Sequence, residues 1–355
     1  FSLGSFLKKE FAIKNVSIST KENNLKDVVS LARVYQNSPQ LFIFNKMIKN
    51  GTLVTDINFN FNDKGKINKD YSIKGSVNDA KFYLLNKQII KNINLSFDVK
   101  DNQYLINDTK FEFNQIKLLS KKIEITNFNK YFLIKGDLKN LESLFNPEVL
   151  SVYFRSNFEN LGFSNLNFSS DNNFSFKLNK RFKFSDINIK SKINLKKLDY
   201  KLNSSKLKSY IPNYDGLFKL NDHKIVLAFN KDQLSFTGKG KFFIDKISDE
   251  IDYDILLKDG DYIFKTKIAL NNNPLLIKIL NYNKEENKSS SLELEGLFKK
   301  NKSLIFNKIL FKEAANTIFL EEVSLNENSK INHLKNLELD ILNENEKYNK
   351  ISLKK

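Results

Sequence analysis

The sequence predicts a mainly β protein, an antiparallel meander with a short helical hairpin near its start. Three observations carry this. Apolar and polar residues alternate with period two along most of the 355 residues, as half-buried strands require. Asp-Gly turn signals separate the alternating runs at intervals too short for parallel crossovers. Phe (32) and Tyr (13) are plentiful, whereas Gly (11), Pro (4), Met (1) and Trp (0) are scarce, a balance that favours strands over helical bundles.

The first stretch breaks the rhythm. Leu25, Val28, Val29, Ala32 and Tyr35 share one helical face. A second helix is predicted over 39–49, with Pro39 in its first turn and Gly51 as its stop. Strands follow. In the first of them Leu53, Ile57, Phe59 and Phe61 take one side and Asp56, Asn58 and Asn60 the other. The alternation continues through Ile73 and Val77, Leu95 and Phe97, and Phe111 and Phe113, and recurs as far as Leu337, Leu339 and Ile341. About eighteen strands are expected. Hairpin links are predicted at Asp63-Lys64-Gly65, Asp215-Gly216 and Asp259-Gly260-Asp261, and a short helix over 141–150 around Pro147. Gly75, Gly136 and Gly296 each interrupt an apolar strand in a weakly repeated pattern. They read as bulges or bends that curve the sheet. No linker rich in Pro, Ser or Gly divides the chain, so residues 1–355 read as one elongated β region with a helical insertion at about 25–49.

The formal charge of +17 raises nucleic acid as a partner. Arginine, the side chain of bidentate phosphate and guanine contacts, occurs only as Arg33, Arg155 and Arg181. The lysines are spread as the polar half of the strands, never in a run longer than two. That pattern describes a solvated face and no nucleic acid partner, and it stays compatible with an anionic lipid surface. Without cysteine there is no disulfide and no thiolate metal site, which suits an oxidising compartment. No apolar run approaches the ~18 residues of a bilayer span; the densest, Leu41-Phe42-Ile43-Phe44, stops at Asn45 and Lys46. The sequence opens on Phe1 rather than Met, and a signal or anchor ahead of it is expected.

Catalytic signatures are missing from the sequence. His223 and His333, the two histidines, read as solvated strand or turn residues rather than bases or ligands. Asp252 with Asp254 and Asp259 with Asp261 lack the regularly spaced oxygens of a calcium loop. Gly238-Lys239-Gly240 is too short for a phosphate loop and reads as a strand turn. The expectation is a non-enzymatic protein without cofactor or metal.

What remains is the apolar face. Sealed against a second sheet it would be the core of a structural or adhesive sandwich or solenoid without a ligand; left open along a curled sheet it would be a hydrophobic groove. The residues assigned to that groove are Ile57, Phe59, Phe61, Ile73, Val77, Phe82, Leu84, Leu95, Phe97, Phe111 and Phe113.

One stretch resembles a known family. Residues 38–49, then Asn50-Gly51-Thr52-Leu53 and the strand Tyr71-Ser72-Ile73-Lys74-Gly75-Ser76-Val77-Asn78-Asp79-Ala80, are similar in style to the AsmA-like proteins of Gram-negative bacteria, of the YhdP and TamB type. The terse strands of 304–325 fit the same style. The resemblance implies a repeating β-groove and a periplasmic protein anchored in the inner membrane. It also implies passage of phospholipid acyl chains toward the outer membrane, with phospholipid, membrane and other envelope proteins as partners. Members of that family are usually longer and begin with a membrane anchor, so this chain is expected to be a section of a longer protein.

Overall fold

The computed structural model describes residues 13–35, 38–62, 71–84, 88–101, 103–113, 116–145, 162–202, 204–299, 303–326, 330–342 and 348–354. Among these the protein is mainly β, with twenty-two strands and three α-helices. They fall into two compact units, Phe1–Leu141 with Asp171–Asn188, and Glu142–Ser170 with Ile189–Lys355.

In the first unit β1 (Asn15–Ser19) and β2 (Asn23–Asn24) both pair antiparallel with β3 (Ile48–Asn60). The meander then runs through β4 (Ser72–Tyr83), β5 (Ile89–Lys100), β6 (Gln103–Phe113), β7 (Ile116–Asn127) and β8 (Tyr131–Phe145), each antiparallel to the one before. The expected turn at 63–65 lies outside the described residues.

The helical hairpin forms as α1 (Leu25–Tyr35) and α2 (Pro39–Met47). Asn24 caps α1, its Oδ1 accepting from the Lys26 and Asp27 amides at 2.9 and 3.3 Å. Ser38 caps α2, its Oγ accepting from the Leu41 amide at 3.2 Å, with Pro39 where no amide is needed. α1 lays Leu25 and Val29 on the sheet, where they join Ile48, Leu53, Val77, Ala80 and Ile93 in a buried core. The Tyr35 side chain lies outside the described residues. Gly51 does not stop α2, which ends at Met47 with Ile48 already extended. It lies instead inside β3 at φ +135°, where a Cβ would stand 2.7 Å from that of Ala80. The glycine is required by strand-to-strand approach in a bulge, not by helix termination.

The bends also differ from expectation. Gly75 sits in an uninterrupted ladder, opposite Thr55 and Phe97. The register shifts of β3 to β6 fall beside it, and Asp79, Asn92 and Asp108 stand there at φ +48°, +56° and +48°. Short polar side chains tolerate that region by bonding locally, as where Asn94 Oδ1 accepts from the Asp79 amide at 3.2 Å. Beside Gly136 the shift between β7 and β8 is filled by Asp137, whose two oxygens accept from the Lys121 and Lys122 amides at 2.9 Å each. Gly296 does lie at a bulge. The helix expected over 141–150 is absent from its described part, because β8 continues to Phe145, stacked on Phe168 at 4.2 Å; 146–150 lie outside the described residues.

The second unit includes 163–170 of β9 (Phe163–Asn179) and 189–201 of β10 (Phe184–Lys201), followed by α3 (Ser205–Tyr210). Then come β11 (Leu217–Asn230), β12 (Gln233–Ile244), β13 (Ile247–Lys258) and β14 (Asp261–Ala269), in sequential antiparallel pairing. The ribbon of β15 (Leu275–Ile277) and β16 (Tyr282–Lys284), joined by a 3₁₀ turn over Lys278–Leu280, interrupts the sequence but not the sheet. β14 pairs directly with β17 (Ser290–Phe298), and β18 (Leu304–Glu313) and β19 (Asn316–Leu325) follow. β20 (Ile331–His333) and β21 (Asn336–Leu342) both pair with β19, and β22 (Tyr348–Lys354) closes the run on β21. The link predicted at 259–261 forms as a two-residue turn, with Asp259 at φ +53° and Gly260 at φ +88°, the handedness that matches strand twist.

His223 and the Gly238-Lys239-Gly240 stretch depart from what the sequence predicts. His223 is a strand residue but is buried, 1% exposed. Its Nε2–H donates to the Lys241 carbonyl at 2.9 Å, leaving Nδ1 to accept from the Tyr253 hydroxyl at 3.3 Å. Gly238-Lys239-Gly240 is no turn; it lies within β12, where Tyr253 covers Gly238 and His223 covers Gly240. Both glycines leave room for a neighbouring ring, a demand that hydropathy alone does not reveal.

Candidate functional site

The residues assigned to a groove share one face of the first unit, as the register shows. Ile57 faces Ile73, Val77 faces Leu95, and Phe97 lies over Gly75. Phe59 faces Val16, Phe82 faces Ile48 and Ile90, Phe111 faces Leu118, and Phe113 faces Ile90 and Ile116. They nevertheless divide. Val77 is buried, and Phe82, Leu95, Phe97 and Phe111 pack against the core beneath α1. Ile57, Phe59, Phe61, Ile73, Leu84 and Phe113 are half-buried outside that cluster.

The first unit also holds a concavity of about 700 Å³ among Asp108, Thr109, Ser120, Lys121, Asp137 and Asn172. Most of its lining residues are polar or charged and it follows the bulges, with Asp137 committed to backbone amides and Lys139 paired with Asp171 at 3.3 Å. It does not suit an apolar ligand.

The site best formed for one lies in the second unit, beyond the residues assigned from sequence. A partly open cavity of about 490 Å³ is lined only by apolar and aromatic residues, within the ~300–1,000 Å³ of small-molecule sites. Its floor is the sheet: Phe218 opposes Ile244 and Leu220 opposes Phe242 across β11 and β12, and Ile251, Ile268 and Leu292 oppose one another across β13, β14 and β17. Leu198 and Tyr200 of β10 and Phe163 of β9 extend the wall. Leu207, Tyr210 and Ile211 in and after α3, and Leu275 of β15, stand over it. Ser204 starts that helix, its Oγ accepting from the Leu207 amide at 3.2 Å. Phe242, Ile244 and Leu270 of the lining are buried in one core cluster with Tyr214 and Tyr282. An apolar hollow of this kind receives apolar matter in preference to water.

The floor belongs to a longer feature. Ile251, Ile268, Leu292, Phe311, Ile318, Leu339 and Ile351 oppose one another in turn across seven strands. A second row runs Leu294, Ile309, Leu320, Leu337 and Leu353. Seven strands at ~4.8 Å give an apolar row of roughly 29 Å, in which Phe311, Ile318 and Leu339 are buried in the core beside the cavity. The other face of the same strands is charged in alternation, Asp254, Lys265, Glu295, Lys308 and Glu321 standing opposite one another in register. Lys265 pairs with Glu295 at 2.9 Å, and Lys308 reaches diagonally to Glu293 at 2.7 Å. The hydrogen bond to Glu295 raises the Lys265 pKa and that from Lys308 lowers the Glu293 pKa, so Lys265 and Glu293 hold their charge near neutrality. A one-residue slip would bring lysines into the apolar rows, so the charged face fixes which side is apolar.

No helix among the described residues is long and apolar enough to cross a membrane, and none of their His, Cys, Asp and Glu residues group as metal ligands. No family model matches the chain, and neither a curated protein nor a solved structure does.

Proposed function

We propose that this protein binds acyl chains and conducts them along its apolar face, as a non-enzymatic lipid carrier. The single observation that carries the reading is the cavity of about 490 Å³ lined only by aliphatic and aromatic side chains, set on apolar rows that continue from strand to strand. Such a surface can hold hydrocarbon but offers no group to orient or activate a polar substrate. The alternating Lys and Glu on the opposite face keep that side in water. The resemblance to AsmA-like envelope proteins extends the proposal to phospholipid moving between the inner and outer membranes, through the periplasm, with an anchor outside this sequence.

The test uses the full chain, purified without detergent. Organic extraction should recover phospholipid or fatty acid bound to it, and a fluorescent fatty acid should bind and be displaced by unlabelled acyl chains. The protein should also speed transfer of labelled phospholipid between vesicles. Absence of both bound lipid and probe binding would overturn the proposal.

A further inference from the structure

The ribbon β15–β16 presents a feature that lining a cavity does not explain. Its β15 strand supplies Leu275 to the cavity, and Ile277 and Leu280 pack into the core beside it. Ile279, between them in the 3₁₀ turn, is 91% exposed, so an otherwise apolar tip holds one large aliphatic side chain out in solvent. It is not isolated. α3 packs against β15 and carries Tyr210, which lines the cavity yet is 50% exposed. Exposed lysines flank both, Lys278 before Ile279 and Lys208 in the last turn of α3. The nearby carboxylates are engaged: Glu285 with Lys288 at 3.0 Å, and Glu286 with the Asn213 side-chain amide at 2.9 Å.

The root of the ribbon is rigid. Lys284, fully buried, donates its ammonium hydrogens to the Asn273, Glu285 and Asn271 carbonyls at 2.8, 3.0 and 3.4 Å. Asp249 accepts from the amides of Asn271, Asn272 and Asn273 at 2.9 to 3.0 Å. The Tyr282 hydroxyl donates to Glu313, both buried. A root held by these bonds fixes the ribbon from which Ile279 projects.

We infer that this rim, with Ile279 at its tip, Tyr210 beside the cavity and Lys208 and Lys278 around them, docks on an anionic phospholipid surface. An aliphatic residue and an amphipathic aromatic enter the headgroup boundary while lysines meet its negative charge. Tyr210 belongs both to this rim and to the cavity lining, so docking there brings the cavity to the headgroup boundary. The inference rests on the reading of the cavity as an acyl-chain site and names the surface from which the chains come.

The chain has no tryptophan, so Ile279→Trp reports on this one position. Its emission should shift to the blue, and be shielded from aqueous quencher, when vesicles of phosphatidylcholine with phosphatidylglycerol are added. Unchanged emission would overturn the inference. In co-sedimentation Ile279→Asp should weaken binding to those vesicles about tenfold or more, the equivalent of one aliphatic side chain kept from the interface; unchanged binding would also overturn it. Lys208→Glu with Lys278→Glu should abolish the preference for anionic over neutral vesicles. The fatty-acid probe separates the two readings. Ile279→Asp should bind it as the parent does, whereas a parent that fails to bind it while still docking through Ile279 removes the cavity reading and leaves the docking surface standing.

Discussion

Tyr253 lies over Gly238, directly opposite it across β12 and β13, so closely that a Cβ at 238 would stand 2.3 Å from the ring. Phe97 over Gly75 and Phe264 over Gly296 repeat the arrangement. Glycine gives up side-chain packing at these points, and the ring of the next strand fills the space. Gly238→Ala should therefore destabilise by about 1–3 kcal/mol through overpacking, measured by denaturant unfolding. The loss should shrink when Tyr253→Leu is made as well, because the clash is with the ring; an equal loss in both backgrounds would assign it to the backbone.

The charge rows make a prediction that an isolated ion pair does not. Lys265→Glu should lower the melting temperature at low salt, and the effect should fade as salt screens it. Reversing the pair, Lys265→Glu with Glu295→Lys, should fail to restore the parent value. The new glutamate then faces Asp254 and the new lysine faces Lys308. Full recovery would show that the pair acts alone.

His223 gives the fold a pH dependence of defined sign. Burial pushes its pKa below the ordinary 6.5, against smaller opposing contributions from the Lys241 carbonyl and Asp222. The unfolded chain then binds more protons than the folded one, so stability is complete above about 6.5 and falls as pH drops from there through the lowered folded value. The neutral ring is held by its neighbours: burial raises the Tyr253 hydroxyl to about 12, so it stays protonated and donates to Nδ1. Unfolding in denaturant at stepped pH should show this slope, and His223→Gln should flatten the part that begins near 6.5.

Substitutions on the two apolar regions should separate folding from ligand binding. Phe97 packs on Gly75 and against the core, so Phe97→Asp should cost folding itself, on the order of 3 kcal/mol or more. Phe59 is half-buried outside that core, so Phe59→Asp should leave the β circular dichroism intact. Ile251, on the cavity floor, is the third position. Ile251→Trp should fill the hollow and weaken fatty-acid binding about tenfold or more with the sheet retained; undiminished binding would move the acyl site elsewhere.

Much of the fold was legible in the sequence because strand alternation and turn chemistry are local. Leu53, Ile57 and Phe59 announce their face through period two, Asp259-Gly260 announces its hairpin, and Pro39 announces a helix start. Each depends on residues within a few positions. Partnership across strands was not legible. Gly51 as a point of close approach to Ala80, Gly238 as the seat of Tyr253, and His223 as a buried hydrogen-bonding group all follow from neighbours fifteen to thirty residues away in sequence. In β4 to β6 the bends fell to Asp79, Asn92 and Asp108 rather than to Gly75 for the same reason, since register between strands decides where an extra residue must go.

The site divides in the same way. The sequence by itself determined that one face would be apolar and the other charged, because a period of two admits no other sorting of these residues. Tertiary structure alone decided where that apolar face is sealed and where it stays open. α1 covers Val77, Leu95 and Phe97, whereas α3 and the β15–β16 ribbon stand over the second unit's sheet without filling the space between Leu220, Ile251 and Leu207. Hydrophobic residues read alike whether they close a core or line a hollow; the difference lies in the volume that neighbouring elements leave between them.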